Sequence, residues 1–158
     1  MALVPQVVDA VGVPVIAAGG IADGRGVTAA LMLGASAVQV GTPYLFCPEA
    51  KIPAVHAQAL AEAGDDSTAV TNVFTGRPAR GIVNRLMLEL GPISEVVPAF
   101  PTAGAALSPV RGQAENASRN DFTNLWSGQS VRLAPRMGAF DLTRNLYEAA
   151  LSVIERRA

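Results

Sequence analysis

Two short apolar runs, each closed by glycine, constrain this chain more than any other feature. They are VPVIAAGG, ending at Gly20, and ASAVQVGT, ending at Gly41-Thr42. Neither is long enough for a typical helix, and neither is broken by charge. That is the pattern of a strand covered on both faces, as in a parallel sheet. Between them, Asp23 and Gly24 lead into a helix over about 25–33, stopped by Gly34. In front of them, Leu3, Val4, Val7, Val8 and Val11 recur at helical spacing, and Gly12 supplies the stop. Helix, strand, helix, strand with short links is the sequence form of a βαβ unit.

The rest of the chain reads less regularly. We expect a helix from about Pro48-Glu49 to Ala63, an extended piece from Ala69 to Phe74, and a turn at Gly76-Arg77-Pro78. A helix from Gly81 to Leu90 follows. Residues 91–109 hold four of the eleven prolines and predict few regular elements. Short helical pieces are expected at Ala114 to Arg119 and at Asp121 to Trp126. The last helix is clearer, because Leu142, Leu146, Ala150, Leu151 and Ile154 share one face and Asp141 stands where an N-cap would.

Half of the residues are apolar and the formal net charge is −1, which argues against nucleic-acid and membrane-surface partners. The one cysteine, Cys47, excludes an intrachain disulfide and a thiolate metal cluster, so we expect a cytoplasmic protein with no metal site. No signal peptide or membrane-spanning run is visible.

The candidate chemistry lies at the two glycine-closed strand ends. In a parallel barrel Gly19-Gly20 and Gly41-Thr42 would open side by side on one face. Without a Cβ, their backbone N–H groups approach a bound group closely. The helix after Gly20 is expected to aim its N-terminus, with its unpaired N–H donors, at the same spot, and Thr42 adds a hydroxyl. This is a phosphate cradle spanning Val15 to Thr42; the plainer reading is that the glycines only permit tight turns. Gln39 shares a strand face with Ala37 and Gly41, which would be the barrel interior. Its amide, expected to be buried, needs partners there, either a cofactor or a neighbouring strand. His56, the only histidine, is expected to be a surface or packing residue, Cys47 a buried thiol and Trp126 a packing anchor. For Arg77, Arg80 and Arg85, surface ion pairing is the expectation ahead of a shared anion site.

The string PVIAAGGIADGRGVTAALMLGASAVQVGT resembles the flavin-phosphate segment of nitronate monooxygenases. FTGRPARGIVNRL and NLWSGQS resemble the same family's C-terminal half. The resemblance implies the α/β fold of the C-terminal portion of a (β/α)8 TIM-type FMN barrel with a mostly helical cap segment. Residues 1–48 would be the last βα units with the phosphate site, 49–140 the cap or insertion, and 141–158 a C-terminal helix packing on the barrel. It implies FMN as cofactor, with Gly20, Gln39, Val40, Gly41 and Thr42 in contact and Gly19 assisting through its backbone. The implied reaction is oxidation of a small-molecule alkyl nitronate by molecular oxygen. The alternatives are an FMN-dependent enoyl reductase relative and an inactive barrel remnant. The family's first strand and its glycine-flanked substrate histidine have no counterpart in these residues, so we expect a truncated form and assign no catalytic residue.

Overall fold

The structure is a computed structural model and describes residues 1–156. Arg157 and Ala158, the end of the expected stretch 141–158, lie outside the described residues. Two compact units emerge: residues 1–51 together with 130–158, and residues 52–129.

The first unit is built on a βαβ crossover. Helix α1 (Leu3–Ala10) precedes strand β1 (Ile16–Ala18), helix α2 (Gly24–Met32) and strand β2 (Ala37–Gln39). The strands pair in parallel, Ile16 with Ala37 and Ala18 with Gln39. Asp23 starts α2 by accepting hydrogen bonds from the backbone N–H groups of Arg25 and Gly26. Gly34, at φ +94°, ends the turn that follows the helix. Ala17, Ile21, Ala30 and Ala35 form the core beneath the crossover, with Val4, Val27, Val38 and Val40 against it.

The expectation of strands covered on both faces is met on one face only. Ala17 is buried, whereas Ile16 is 61% exposed, and Ala18, Ala37 and Gln39 are exposed too. Within this unit the helical layer covers one side of the two-stranded sheet, and none of the unit's described elements lies on the other.

The unit is completed by helix α6 (Ala139–Glu155), which packs along α2. Leu142, Leu146 and Ala150 face inward at helical spacing, the first two clustering with Cys47, Val27, Val40 and Tyr44. At the closest approach Gly24 of α2 lies under the backbone of Ala149 and Ala150. The Thr28 hydroxyl donates to the Ala150 carbonyl at 3.1 Å. The N-cap of α6 is Gly138, not Asp141, which falls in the first turn. In place of a local cap, the Glu49 carboxylate accepts from the Ala139 N–H at 3.0 Å.

The second unit departs further from expectation. Helix α3 spans Ala54–Glu62, not 49–63, because Pro53 disfavours helical geometry in the residue before it. Strands β3 (Thr68–Thr71) and β4 (Ala79–Ile82) form an antiparallel hairpin. The helix expected from Gly81 begins only at Arg85, with Asn84 as its N-cap, and runs as α4 to Leu90. Residues 103–109, expected to be irregular, and the start of the short helical piece expected at Ala114 to Arg119 join in one helix, α5 (Ala103–Asn116), which carries the exposed Pro109 inside it. Its alanine-rich sequence outweighs the one hydrogen bond that proline removes.

Residues 121–126 are not helical. They lie beside β4 as a strap: Ile82 N–H donates to Leu125 O at 2.8 Å, Ser127 N–H to Arg80 O at 3.3 Å, and Gly81 bridges Trp126. Two buried side chains hold the strap. Asn84 Nδ2 donates to the Asn120 and Thr123 carbonyls, both at 2.9 Å. His56 Nε2 meets the Trp126 carbonyl at 3.0 Å. Beneath the strap lie Val73, Phe74, Leu86 and Met87, with the Trp126 ring edge-on to Phe74 at 5.7 Å between centroids. No helix among the described residues is long and apolar enough to cross a membrane.

Candidate functional site

Because β1 and β2 are parallel and in register, both chains leave the sheet at the same end. Two residues beyond the Ala18–Gln39 pair lie Gly20 and Gly41. Gly19 and Gly20 adopt φ +94° and +72°, a region that L side chains rarely enter. A Cβ built on Gly19, Gly20 or Gly41 meets no heavy atom within 4 Å. This is the opposite of a glycine required by tight packing. The space beside these three backbones is open, so a ligand can come against them directly.

The chain then turns tightly. Gly41 accepts from the Tyr44 N–H at 3.0 Å and opens a 3-10 turn over Thr42–Phe46, with Pro43 buried near its start. This turn is not among the elements expected above; proline just inside a helical start, directly after Gly41-Thr42, is the signal for it. A short extra helix after the last strand is a recurring part of phosphate sites in βα barrels.

A second difference concerns α2. Its N-terminus was expected to present unpaired donors, but Asp23 Oδ1 occupies the N–H groups of Arg25 at 3.0 Å and of Gly26 at 3.2 Å. Asp23 is held below the usual carboxylate range, first by the Arg25 side chain and then by the Gly26 and Arg25 backbone, against an opposing contribution from burial. The α2 end therefore carries an ionised carboxylate beside its guanidinium. The donors that remain beside this end are those of the glycine loops at Gly19, Gly20 and Gly41.

Gln39 is exposed, not buried as expected. It stands on the uncovered sheet face with Ala18 and Ala37, one residue before Val40 and two before Gly41. The structure thus gathers Gly19, Gly20, Gln39, Val40, Gly41 and Thr42 onto two adjacent strand ends.

The remaining candidates have local partners. Cys47 is buried, its thiol pushed up by burial and then by the Glu49 charge. Arg77 lies 4.3 Å over the Phe100 ring, Arg80 donates to Thr68 O and Oγ1, and Arg85 pairs with Glu89. Three different partners leave no common anion site among them.

His56 is buried, and its Nε2 must carry the hydrogen donated to Trp126 O. Burial pushes its pKa below the ordinary 6.5, and the Trp126 carbonyl opposes this only in part. The unfolded chain therefore takes up the proton at a higher pH than the folded chain does. The stability His56 contributes is complete above 6.5 and is lost as pH falls from there through the folded pKa. We expect the urea midpoint of the second unit to decline as pH falls below 6.5, and to stay level in His56→Gln. An equal decline in both proteins would remove His56 as the cause.

With this geometry in place, three comparisons bear on the chain. Residues 1–149 match the family described as nitronate monooxygenase. A probable nitronate monooxygenase of Staphylococcus saprophyticus is 40% identical over 156 residues, covering 99% of this chain and 44% of the relative. Among solved structures, a nitroalkane oxidase from Streptomyces ansochromogenes superposes with TM-score 0.89 at 36% identity, over 99% of this chain and 45% of that one. FabK from Thermotoga maritima superposes with TM-score 0.76 at 28% identity, over 98% and 49%. The chain spans less than half the length of each of these proteins.

Proposed function

The chain belongs to the nitronate monooxygenase family, a family of oxidoreductases, and from that membership we propose that it supplies the FMN-phosphate grip of an enzyme that oxidises alkyl nitronates with molecular oxygen. In this reading residues 1–48 are the last βα units of a (β/α)8 barrel, 49–140 are its cap or insertion, and 141–158 are a C-terminal helix that packs on the barrel. The protein would act in the cytoplasm on small molecules.

One observation carries the reading: two parallel strand ends bring Gly19, Gly20 and Gly41 to one edge with open space where side chains would project. The residues present fit a phosphate. Backbone N–H groups of Gly20 and Gly41 would hold it, with Thr42 beside them at the start of the 3-10 turn, Gly19 setting the turn and Val40 the strand end. Gln39, on the uncovered face, would offer its amide to the flavin. Asp23 would be kept off the phosphate by its bond to Arg25. The flavin supplies the redox chemistry when bound, and these residues bind and orient it.

The structural likeness to FabK, an enoyl reductase, supports a second reading, FMN-dependent enoyl reduction. One chimera separates the two: residues 1–158 replacing the matching part of the S. saprophyticus relative. We expect it to retain FMN and to consume oxygen with propionate 3-nitronate and no nicotinamide. Activity only with NAD(P)H and an enoyl thioester would favour the second reading. Gly20→Val and Gly41→Val in the chimera are each expected to weaken FMN retention by about tenfold or more, through loss of one or two charge-assisted bonds. The 158-residue chain alone is expected to hold FMN weakly. Tight stoichiometric retention with turnover by that chain would overturn the reading that these residues supply only part of the flavin site, whereas an FMN-free chimera would favour an inactive remnant.

A further inference from the structure

Gly41 is held from one direction only among the described residues. A Cβ built on it would meet no heavy atom within 4 Å, so no side chain packs against its backbone there. Its carbonyl is held from behind, by the Tyr44 N–H at 3.0 Å. Where Gly41 sits therefore depends on where the 3-10 turn over Thr42–Phe46 is fixed.

The start of α6 fixes it, through Tyr44, Cys47 and Glu49. The Tyr44 hydroxyl lies 2.7 Å from Thr143 Oγ1. Thr143 donates its one hydroxyl hydrogen to the Ala139 carbonyl at 2.8 Å, so in the pair with Tyr44 it is Tyr44 that donates. Cys47, just past the turn, is buried with Leu142 and Leu146, and its N–H donates to the Tyr44 carbonyl at 3.1 Å. Two residues further on, Glu49 accepts from the Ala139 N–H at 3.0 Å. Removing Cys47 would open a void and removing Glu49 would strip α6 of its first acceptor. The Tyr44 hydroxyl can be taken away with neither consequence.

Resting on the flavin reading above, we propose that Tyr44 is a positioning residue for the phosphate site. Its hydrogen bond to Thr143 holds the turn in place, and its N–H then holds the Gly41 backbone where phosphate is bound. The side chain acts through Gly41, because its hydroxyl is engaged by α6. Without that bond the turn gains other arrangements. The measured affinity then falls in proportion to the fraction of chains that keep the binding arrangement.

The test follows the Gly20 and Gly41 amide resonances of the 158-residue chain by nuclear magnetic resonance as FMN, and separately inorganic phosphate, is added. In the wild type both resonances are expected to move saturably with each ligand. Tyr44→Phe should keep the folded spectrum and raise both dissociation constants about threefold or more, the weight of one neutral hydrogen bond. Thr143→Val should do the same, and Tyr44→Phe/Thr143→Val should be no weaker than either single variant. Thr143→Ser, which keeps the acceptor, should restore wild-type binding. Thr28→Val removes the hydroxyl bond to α6 at Ala150 and should leave both constants unchanged, as a general loosening of α6 would not. Wild-type binding by Tyr44→Phe, or equal weakening by Thr28→Val, would overturn the proposal and leave the flavin reading standing. A wild-type chain whose two resonances respond to neither ligand would overturn both.

Discussion

Replacing Gly24 with alanine is expected to destabilise the first unit by about 3 kcal/mol or more, at the upper end of what overpacking a core costs. The new Cβ would sit 2.5 Å from the carbonyl carbon of Ala149 and 2.5 Å from the nitrogen of Ala150. Both are main-chain atoms of α6 and cannot swing aside as a side chain can. Relief requires moving α6, which would lengthen the Thr28–Ala150 hydrogen bond and loosen Leu142 and Leu146 from their pocket. Alanine is the better helix former by about 1 kcal/mol, too little to offset this. Gly26→Ala, two residues along the same helix, is the control. Its Cβ would stand 3.4 Å from the Ile21 methyl, so the change should be close to neutral or mildly stabilising. Thermal and urea unfolding of the two variants provide the check. Equal stability would mean that α2 and α6 do not cross as closely as the structure has them.

The second large effect is expected at Asn84. Its Nδ2 satisfies two strap carbonyls while its Oδ1 caps α4 at the Met87 N–H, all from a buried position. Asn84→Ala removes every one of these bonds and leaves the strap carbonyls facing a small void. Unsatisfied buried groups cost about 1–3 kcal/mol each and a lost cap about 1. Partial relaxation makes the sum less than additive, and a loss of about 3 kcal/mol is expected. Asn84→Asp keeps the cap but turns a carboxylate oxygen toward two carbonyls, so at neutral pH it should be at least as damaging. Urea unfolding followed by Trp126 fluorescence reads both variants, since that indole sits on the strap.

The first unit was legible because its signals are local. Glycine stops, the apolar runs and the Asp23 start act within a few residues, and β1, α2 and β2 fall close to where they predict. The second unit was less legible because its elements depend on distant partners. Residues 79–82 become a strand only by pairing with 68–71, and 121–126 stay extended only because β4, Asn84 and His56 offer them bonds. Asn84 was a readable signal all the same, since asparagine before an apolar helical run marks an N-cap. Of the candidate site, the glycine pairs were readable and the state of the donors was not. Asp23 was seen as a helix start, but its occupation of the very N–H groups assigned to phosphate is a matter of side-chain geometry. The exposure of Gln39 follows from which sheet face the helices cover.

The division of the chain into units also sets an order of events during synthesis. Residues 52–129 are continuous, whereas the first unit is split into 1–51 and 130–158. A ribosome therefore releases everything the inner unit needs before α6 has been made. Until then Val27, Val40, Tyr44 and Cys47 lack Leu142 and Leu146, the residues that close over them. The nascent first unit must wait through the whole of the second with that patch bare, a window in which a chaperone has most to cover.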